Sequence, residues 1–551
     1  MNDKENIKRY PDRSNYVFTA IFAFTLSLLI LFHIIQGYCL VKYKYAKDLW
    51  TAIGIYYINR ISGKPLNAAE KMSLTITTVI LLSLLVIAVI VLVKIQNKLR
   101  AIQKTKLIKK REASEKGSAE WAEINDLRQN GIIGEDGVIV GYKKTLQGIN
   151  EIRLTQKTSF EHVAVIGPTG CGKTSTIFIP NLMVLPEDVS AIVTDPKGEI
   201  EKLTEKALKN RGYNIYKLNM IDDGETNVYN FLHLAKNEVE ISELADITLR
   251  NGYSSLGQAG DTQWINFSQP LWEAALLAEK EMAQIEDRIP TINKAYEIIA
   301  EHTEKERAEI FKSIGGEAYK RYLVYAQSIQ SPETSASIRS VLLSSLRTFT
   351  RKDVRRIIEG NDDNEINMIR PEELRKEKTV IFIQIPERKA ELLKPISATL
   401  YWQILEHIID IKGRPVFFFL DEFPNIGKIP GFAQIAATVR SRQISLIIGM
   451  QGIEQLTREY TKEEQIDILN NMKTKIFFSG VTGETGQYFT SIAGYSTIKW
   501  NEDYKERREL LTPDELRRIP QDKIVIVANN INPIMLDAIP YYKNKKYSRE
   551  I

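Results

Sequence analysis

Four residues with the spacing of a phosphate-binding loop are the first candidates for chemistry. Gly167, Gly172, Lys173 and Thr174 fit the pattern GxxxxGK[ST] without a gap, within the run HVAVIGPTGCGKTS. The apolar residues Val163–Ile166 predict a buried strand before the loop, and a helix is expected after it. Glycines let backbone N–H groups surround phosphate oxygens, and the N-terminus of a helix favours an anion. We therefore expect ATP here, with Lys173 at the β- and γ-phosphates and Thr174 on Mg²⁺.

The predicted nucleotide-binding residues cover the whole loop. They are Gly167, Pro168, Thr169, Gly170, Cys171, Gly172, Lys173, Thr174 and Ser175. A glycine-rich turn that contains a lysine by chance is the alternative. The strand predicted before the loop and the helix predicted after it argue against chance.

A pair of acids follows a second apolar run. Val416–Leu420 predicts a central parallel strand, because a continuous apolar run suits a strand that is buried on both faces. Asp421 and Glu422 follow it directly in the run PVFFFLDEFPNIGKIP. We expect Asp421 to hold Mg²⁺ through water, and Glu422 to orient or deprotonate the water that attacks ATP. An acid pair at an ordinary strand end is the alternative.

Other polar residues lie next to predicted strands. Gln451 ends a strand predicted over Ser445–Met450, where it could sense the γ-phosphate or lie in a solvated loop. Arg440 and Arg442 precede that strand, and either could reach a neighbouring subunit's ATP in a ring or form a surface salt bridge. A further strand, Ile192–Thr194, is followed by three charged residues whose chemistry the sequence leaves open. These residues are Asp195, Lys197 and Glu199.

Two long apolar runs precede these motifs and predict a membrane anchor over residues 1–111. Residues 17–35 and 74–93 contain no Lys, Arg, Asp or Glu. As helices, each would span about 28–30 Å, the thickness of a bilayer core. A cleaved signal peptide is the alternative for the first run, but no small-x-small cleavage site follows it. The basic run Lys94–Arg111 follows the second span and predicts a multi-pass membrane protein whose large C-terminal part is cytoplasmic.

A long segment separates Lys173 from Asp421, which indicates an insertion in the nucleotide-binding domain. Residues 268–347 have helical periodicity with little Pro or Gly, and predict an all-α domain. The helices expected there are Leu271–Glu281, Thr291–Phe311, Ala318–Ile329 and Ser335–Leu346. The acids and bases of this segment nearly balance, so a protein partner suits its surface better than DNA. A basic cluster follows, which could face DNA phosphates or form a solvated helix face, and consists of Arg347, Arg351, Lys352, Arg355 and Arg356.

Strands and helices alternate through the rest of the chain. Further strands are predicted over Thr379–Ile385, Lys475–Ser479 and Lys523–Val527. This alternation around a phosphate loop predicts a doubly wound α/β sheet, with residues 112–267 and 348–551 forming the nucleotide-binding domain. The chain has 551 residues and a net charge of +5, which is too small for its length to imply nucleic-acid binding by itself.

Several motifs in order resemble the type IV secretion coupling proteins, the TraG/TraD-like ATPases of conjugation. The motifs are GSAEWA (Gly117–Ala122), GPTGCGKTS, DPKGE (Asp195–Glu199), DEFPNIGKIP (Asp421–Pro430), MQGIEQL (Met450–Leu456) and LLTPDELRRIP (Leu510–Pro520). The resemblance implies a RecA-like P-loop NTPase motor domain with an inserted all-helical domain, behind a two-helix transmembrane anchor, in a homo-hexamer. It also implies that Lys173, Thr174, Asp421, Glu422 and Gln451 have the family's catalytic and Mg·ATP-binding roles. We choose Arg440 as the arginine finger, the residue that reaches a neighbouring subunit's ATP, because it lies between the acid pair and the next strand.

The resemblance also implies a function and partners. Such a protein recruits relaxase-bound single-stranded DNA, protein substrates or both, together with relaxosome proteins, and delivers them to the type IV secretion channel. The sequence lacks the long acidic C-terminal tail of some relatives, so we expect the helical domain or accessory proteins to recognise the cargo. An FtsK/HerA-like membrane DNA pump and a scaffold that binds ATP without hydrolysing it are the alternatives.

Overall fold

The computed structural model describes most of the chain in two units, Met1–Glu115 and Lys116–Ile551. The described residues are 32–38, 41–42, 48–68, 70–79, 117–146, 148–256, 263–329, 331–359, 367–499 and 505–547. In the first unit, helix α1 (Leu49–Ile61) begins after Asp48, whose side chain accepts a hydrogen bond from the Thr51 N–H. Residues 32–38 and 70–79 of that unit are also helical.

The predicted membrane spans fall mostly outside the described residues. Only residues 32–35 of the first run and 74–79 of the second are described. Within the described ranges, no helix combines the length and the apolar character that crossing a membrane requires. The two-helix anchor therefore stays a prediction.

One mixed sheet of eleven strands organises the described part of the second unit. Its strands are β1 (Ile133–Thr145), β2 (Gly148–Leu154), β3 (Val163–Ile166), β4 (Ser190–Thr194), β5 (Asn214–Asn219), β6 (Thr379–Gln384), β7 (Val416–Leu420), β8 (Ile444–Met450), β9 (Thr474–Phe478), β12 (Lys523–Ala528) and β13 (Ile534–Asp537). The spatial order is β2-β1-β13-β12-β9-β3-β8-β7-β4-β6-β5. The strands from β9 to β5 pair in parallel, whereas β12, β13, β1 and β2 pair antiparallel. A separate hairpin joins β10 (Tyr495–Lys499) to β11 (Lys505–Glu509).

The central strands form where the sequence predicts them. Strands β3, β4, β7, β8 and β9 are buried along their whole length, which explains their continuous apolar runs. Strand β12 forms where a strand is predicted but runs antiparallel to β9, so the sheet is mixed rather than wholly parallel. Strands β1, β2 and β5 were not predicted because polar residues interrupt their apolar pattern.

Helices cover both faces of the sheet and fill the long connection between β5 and β6. They are α2 (Ile124–Gln129), α3 (Gln156–Ser159), α4 (Ile179–Met183), α5 (Glu199–Asn210), α6 (Phe231–Leu234), α7 (Glu238–Ser254), α8 (Gln263–Ile285), α9 (Ile292–Ala300), α10 (Glu304–Ile314), α11 (Gly316–Ser328), α12 (Pro332–Leu346), α13 (Lys352–Ile358), α14 (Glu373–Lys376), α15 (Ala390–Ile409), α16 (Phe432–Thr438), α17 (Lys462–Asn471), α18 (Gly483–Ala493) and α19 (Pro513–Arg517). The segment predicted as one helix over 291–311 forms two. Thr303 and Glu306 make a reciprocal capping box that starts α10.

The helices between β5 and β6 share one hydrophobic core with a face of the sheet. Trp272 of α8 is fully buried in this core, and its indole N–H donates to Thr248 Oγ1 of α7 at 3.0 Å. Helix α7 in turn packs against α15, which follows β6. The helical connection extends from Phe231 to Lys376, beyond both ends of the predicted insertion, so the boundaries 268–347 stay a prediction.

Candidate nucleotide-binding site

The phosphate loop leaves β3, the central strand of the eleven-stranded sheet, which lies between β8 and β9. Gly170 and Gly172 have φ angles of 78° and 96°, a left-handed backbone that glycine adopts without strain. A Cβ on Gly167 would lie 2.6 Å from Phe478 Cβ and 2.7 Å from Cys171 Sγ, so the loop also packs too closely for a larger residue there. A π-helical turn over Thr174–Phe178 and then α4 follow the loop.

Lys173 is held inside the loop. Its side chain is 5% exposed, and Nζ donates to the Gly167 carbonyl oxygen at 2.7 Å. Nζ also lies 3.7 Å from a carboxylate oxygen of Glu422. A buried ammonium group with these partners is available to phosphate oxygens that enter the loop, which fits the predicted role.

Asp421 lies against the loop, as predicted from its place after β7. Thr174 Oγ1 donates to Asp421 Oδ2 at 2.5 Å, and the Glu422 N–H donates to Asp421 Oδ1 at 3.1 Å. Burial raises the pKa of Asp421 to about 6, although the Thr174 hydrogen bond opposes the shift. A hydroxyl and a carboxylate in contact supply the hard oxygen atoms that Mg²⁺ prefers, so these two residues fit the ion.

Glu422 has a strained backbone that turns the chain directly after β7. Its φ angle is 54°, which is uncommon for a residue with a Cβ and is found at functional sites. Gln451 follows β8, the strand next to β7, and its Nε2 donates to Glu422 Oε2 at 3.3 Å. The structure therefore brings Lys173, Glu422 and Gln451 together.

These residues line a cleft of about 360 Å³, together with residues that had no assigned role. Asp195, which follows β4, and the nearby Lys197 and Glu199 line the cleft. This place beside the phosphate loop is expected because β4 runs parallel to β7. Asp195 Oδ2 accepts the Glu201 N–H at 2.9 Å near the start of α5, and burial raises the pKa of Asp195. Glu387, Tyr541 and Tyr542 also line the cleft and could not be predicted, because no motif in the sequence marks them.

Arg440 does not line this cleft. It precedes β8, at the edge of the sheet opposite the one from which the phosphate loop extends. There its guanidinium forms an ion pair with Glu161, which precedes β3, and its side chain is 50% exposed. Within one chain Arg440 therefore forms a salt bridge, which was the alternative to a role in catalysis. A role at a neighbouring subunit's ATP stays a prediction.

Much of the predicted basic cluster is paired within the chain. Arg351 pairs with Asp353 at 2.8 Å, and Arg355 pairs with Glu359 at 3.0 Å. Arg356 donates to backbone carbonyl oxygens of the loop after β5. These contacts favour the solvated helix face over a phosphate-binding surface.

Several known proteins resemble this chain. Residues 120–551 match the family model described as type IV secretory system conjugative DNA transfer. The protein VirD4 of Rhizobium radiobacter is 24% identical over 472 residues, which cover 80% of this chain and 66% of that protein. The conjugal transfer protein TraG of Escherichia coli is 22% identical over 462 residues, which cover 74% of this chain and 72% of that protein.

The fold has a solved counterpart. The plasmid coupling protein TrwB in complex with ADP and Mg²⁺ has a TM-score of 0.59 at 16% identity, with 77% of this chain and 94% of that chain covered. The chain thus has the α/β fold of that coupling protein. Because the matching family model covers most of the sequence, the chain belongs to the type IV secretory system conjugative DNA-transfer family.

Proposed function

We propose that this protein is a membrane-anchored coupling ATPase of conjugation. It recruits relaxase-bound single-stranded DNA, protein substrates or both, and moves them to a type IV secretion channel with relaxosome and channel proteins as partners. The observation that carries the proposal is the meeting of Lys173, Thr174, Asp421 and Glu422 in one cleft, although the helical connection separates them in sequence. The family assignment supports the same function.

The phosphate loop and Lys173 bind and neutralise the triphosphate. Before binding, the Lys173 ammonium is held by the Gly167 carbonyl and lies near Glu422. Phosphate oxygens that enter the loop offer stronger, charged acceptors, so Lys173 turns to them and its hold on Glu422 weakens. Phosphoryl transfer depends mainly on such positioning and charge neutralisation.

Glu422 acts on the attacking water. Its carboxylate orients the water and accepts a proton from it, while Gln451 Nε2 positions the carboxylate through their hydrogen bond. Thr174 and Asp421, whose oxygen atoms are in contact, would hold Mg²⁺. When bound, Mg²⁺ supplies positive charge that stabilises the phosphate oxygens during transfer.

The active assembly is a homo-hexameric ring in which Arg440 acts on the ATP of the adjacent subunit. Its position supports this role, because the guanidinium is half exposed and lies away from the cleft of its own chain. To act there, Arg440 must leave Glu161, whose carboxylate would keep its hydrogen bond from Asn529. Hydrolysis at each interface then moves the cargo.

The anchor is formed by residues 17–35 and 74–93. Their length, apolar character and the basic run Lys94–Arg111 support a multi-pass protein of the cytoplasmic membrane, with the second unit in the cytoplasm. Membrane fractionation of the full chain and of a chain that lacks residues 17–35 and 74–93 tests this part. Recovery of both chains in the soluble fraction would contradict it.

ATP hydrolysis by the full chain, with and without single-stranded DNA, tests the motor. We expect hydrolysis that single-stranded DNA stimulates, and conjugative transfer in cells that Lys173→Ala abolishes. Absence of hydrolysis with intact partner binding would favour the alternative function, a scaffold that binds ATP without hydrolysing it. Normal transfer by Lys173→Ala would exclude ATP-driven transport.

A further inference from the structure

Part of the nucleotide cleft takes no part in the phosphate chemistry. Besides the residues above, its lining includes Ile179 of α4, Ile200 and Leu203 of α5, and the neighbouring tyrosines Tyr541 and Tyr542. The turn that contains the tyrosines, Tyr541–Lys543, contacts the π-helical turn that follows Lys173. An apolar and aromatic wall therefore adjoins the phosphate loop.

The two rings present a surface suited to a planar ligand. Their centroids are 5.3 Å apart and their planes are inclined by 84°, so one ring supports the edge of the other. Tyr542 is 59% exposed, which leaves area for a further aromatic contact. Burial and the nearby Glu199 carboxylate raise the pKa of Tyr541.

The chain beyond the turn fixes its position. Tyr547 is completely buried, and its hydroxyl donates to Glu151 Oε1 at 2.6 Å. Lys546 Nζ donates to the same carboxylate oxygen at 2.7 Å. Because Glu151 belongs to β2, these contacts attach the segment after the turn to the antiparallel strands. Strand β13 precedes the turn, so the turn is held at both of its ends.

We propose that Tyr541 and Tyr542 form the base-binding surface of the nucleotide site, where Tyr542 stacks on the nucleobase of a bound nucleoside triphosphate. This inference rests on the proposed function, which places the triphosphate at Lys173. Stacking on an aromatic ring accepts any base with a planar face, so the surface contributes to affinity and discriminates little between ATP and GTP. Both tyrosines belong to binding rather than to the hydrolytic step.

Calorimetry on the full chain with ATP and with inorganic tripolyphosphate separates the base from the phosphates. The variants are Tyr542→Ala, Tyr542→Phe and Tyr541→Ala. Lys543→Ala serves as the matched control, because Lys543 is exposed in the same turn and does not line the cleft. We expect Tyr542→Ala to raise the Kd for ATP by about ten-fold, within the range of base–aromatic stacking, while Tyr542→Phe and Lys543→Ala stay within about two-fold of the wild type.

Tripolyphosphate decides between stacking and a general loss of the site. Its Kd should be the same in the wild type and in all four variants, because it has no base. Unchanged ATP binding in both alanine variants of the tyrosines, or an equal loss of ATP and tripolyphosphate binding, would overturn the proposal. If the wild-type chain bound neither ligand, the nucleotide site itself would be refuted, and the base surface with it.

Discussion

The nucleotide cleft is built from two regions that differ in origin. The phosphate side comes from the carboxyl ends of the parallel strands β3, β7 and β8. The loop after β3 carries Lys173, whereas Asp421 and Gln451 follow β7 and β8 directly. The tyrosine side comes from the segment after β13, which the antiparallel strands hold in place. The carboxyl ends of adjacent parallel strands lie at one edge of the sheet, so polar groups that follow them meet at one site, as ATP hydrolysis requires. The antiparallel side adds binding surface, and changes there should affect affinity or stability but not the hydrolysis step.

The largest difference between the two sides is expected for Lys173→Ala. Loss of the ammonium removes the charge that neutralises the phosphates, so hydrolysis should fall below detection and ATP should bind more weakly. Phosphate-release assays and calorimetry measure the two effects. Lys197→Ala is the matched control, since Lys197 lines the same cleft and lies 3.9 Å from Glu387 at its rim. Comparable loss in both variants would contradict a specific role of Lys173.

Glu422→Gln should separate chemistry from binding. The amide cannot accept the water's proton, so the hydrolysis rate should fall by about 10²- to 10⁴-fold while the Kd for ATP changes little. Tyr542→Ala should show the reverse pattern, with a raised Kd and a nearly unchanged rate at saturating ATP. Rapid-quench and equilibrium binding measurements compare them, with Glu387→Gln as the control for loss of a rim carboxylate. If Glu422→Gln lost binding but hydrolysed normally at saturation, the assigned role would be wrong.

A third prediction concerns the pairing of β3 with β8. His162 precedes β3, its Nδ1 accepts the Leu446 N–H at 3.1 Å, and its Nε2 lies 2.8 Å from the Ala436 carbonyl oxygen. Burial lowers the pKa of His162 to about 4; the contact with the Ala436 carbonyl opposes the shift, and the charge of Arg440 adds to it. The folded state thus prefers the neutral ring. The resulting stability, roughly 3 kcal/mol, is present above pH 6.5 and is lost as the pH falls towards 4.

Denaturant unfolding between pH 7 and pH 4 measures this dependence. In His162→Asn the free energy of unfolding should be lower at pH 7 and should fall less steeply with acid than in the wild type. His302→Asn, at a histidine of the helical connection, is the control. An identical acid slope in wild type and His162→Asn would assign the pH dependence to other groups.

The smallest effect is expected on the antiparallel side. Tyr547→Phe removes one hydrogen bond to Glu151, whose carboxylate keeps contacts with Lys546 and Arg153. The free energy of unfolding should decrease by about 1 kcal/mol, and the hydrolysis rate at saturating ATP should not change. Thermal unfolding and ATPase assays measure both. A large loss of hydrolysis would mean that the tyrosine side takes part in the chemistry.

The same contrast explains what could be predicted from the sequence. Asp421 and Gln451 could be placed beside the phosphate loop of Lys173 because the loop and both residues come after continuous apolar runs, and such runs form neighbouring parallel strands. The position of Tyr541 and Tyr542 depends on pairing between β13 and β1, which are far apart in sequence and carry no motif. The break at Thr303 could have been predicted, since Thr303 and Glu306 have the spacing of a capping box.

A structure of the full chain with Mg²⁺ and a non-hydrolysable ATP analogue tests the central claim most directly. We predict the triphosphate in the loop with Lys173 Nζ on its phosphates, Thr174 and Asp421 at the Mg²⁺, and Glu422 within one water molecule of the γ-phosphate. An analogue bound elsewhere, or bound in the loop with both acids beyond the reach of a single water molecule, would contradict the account.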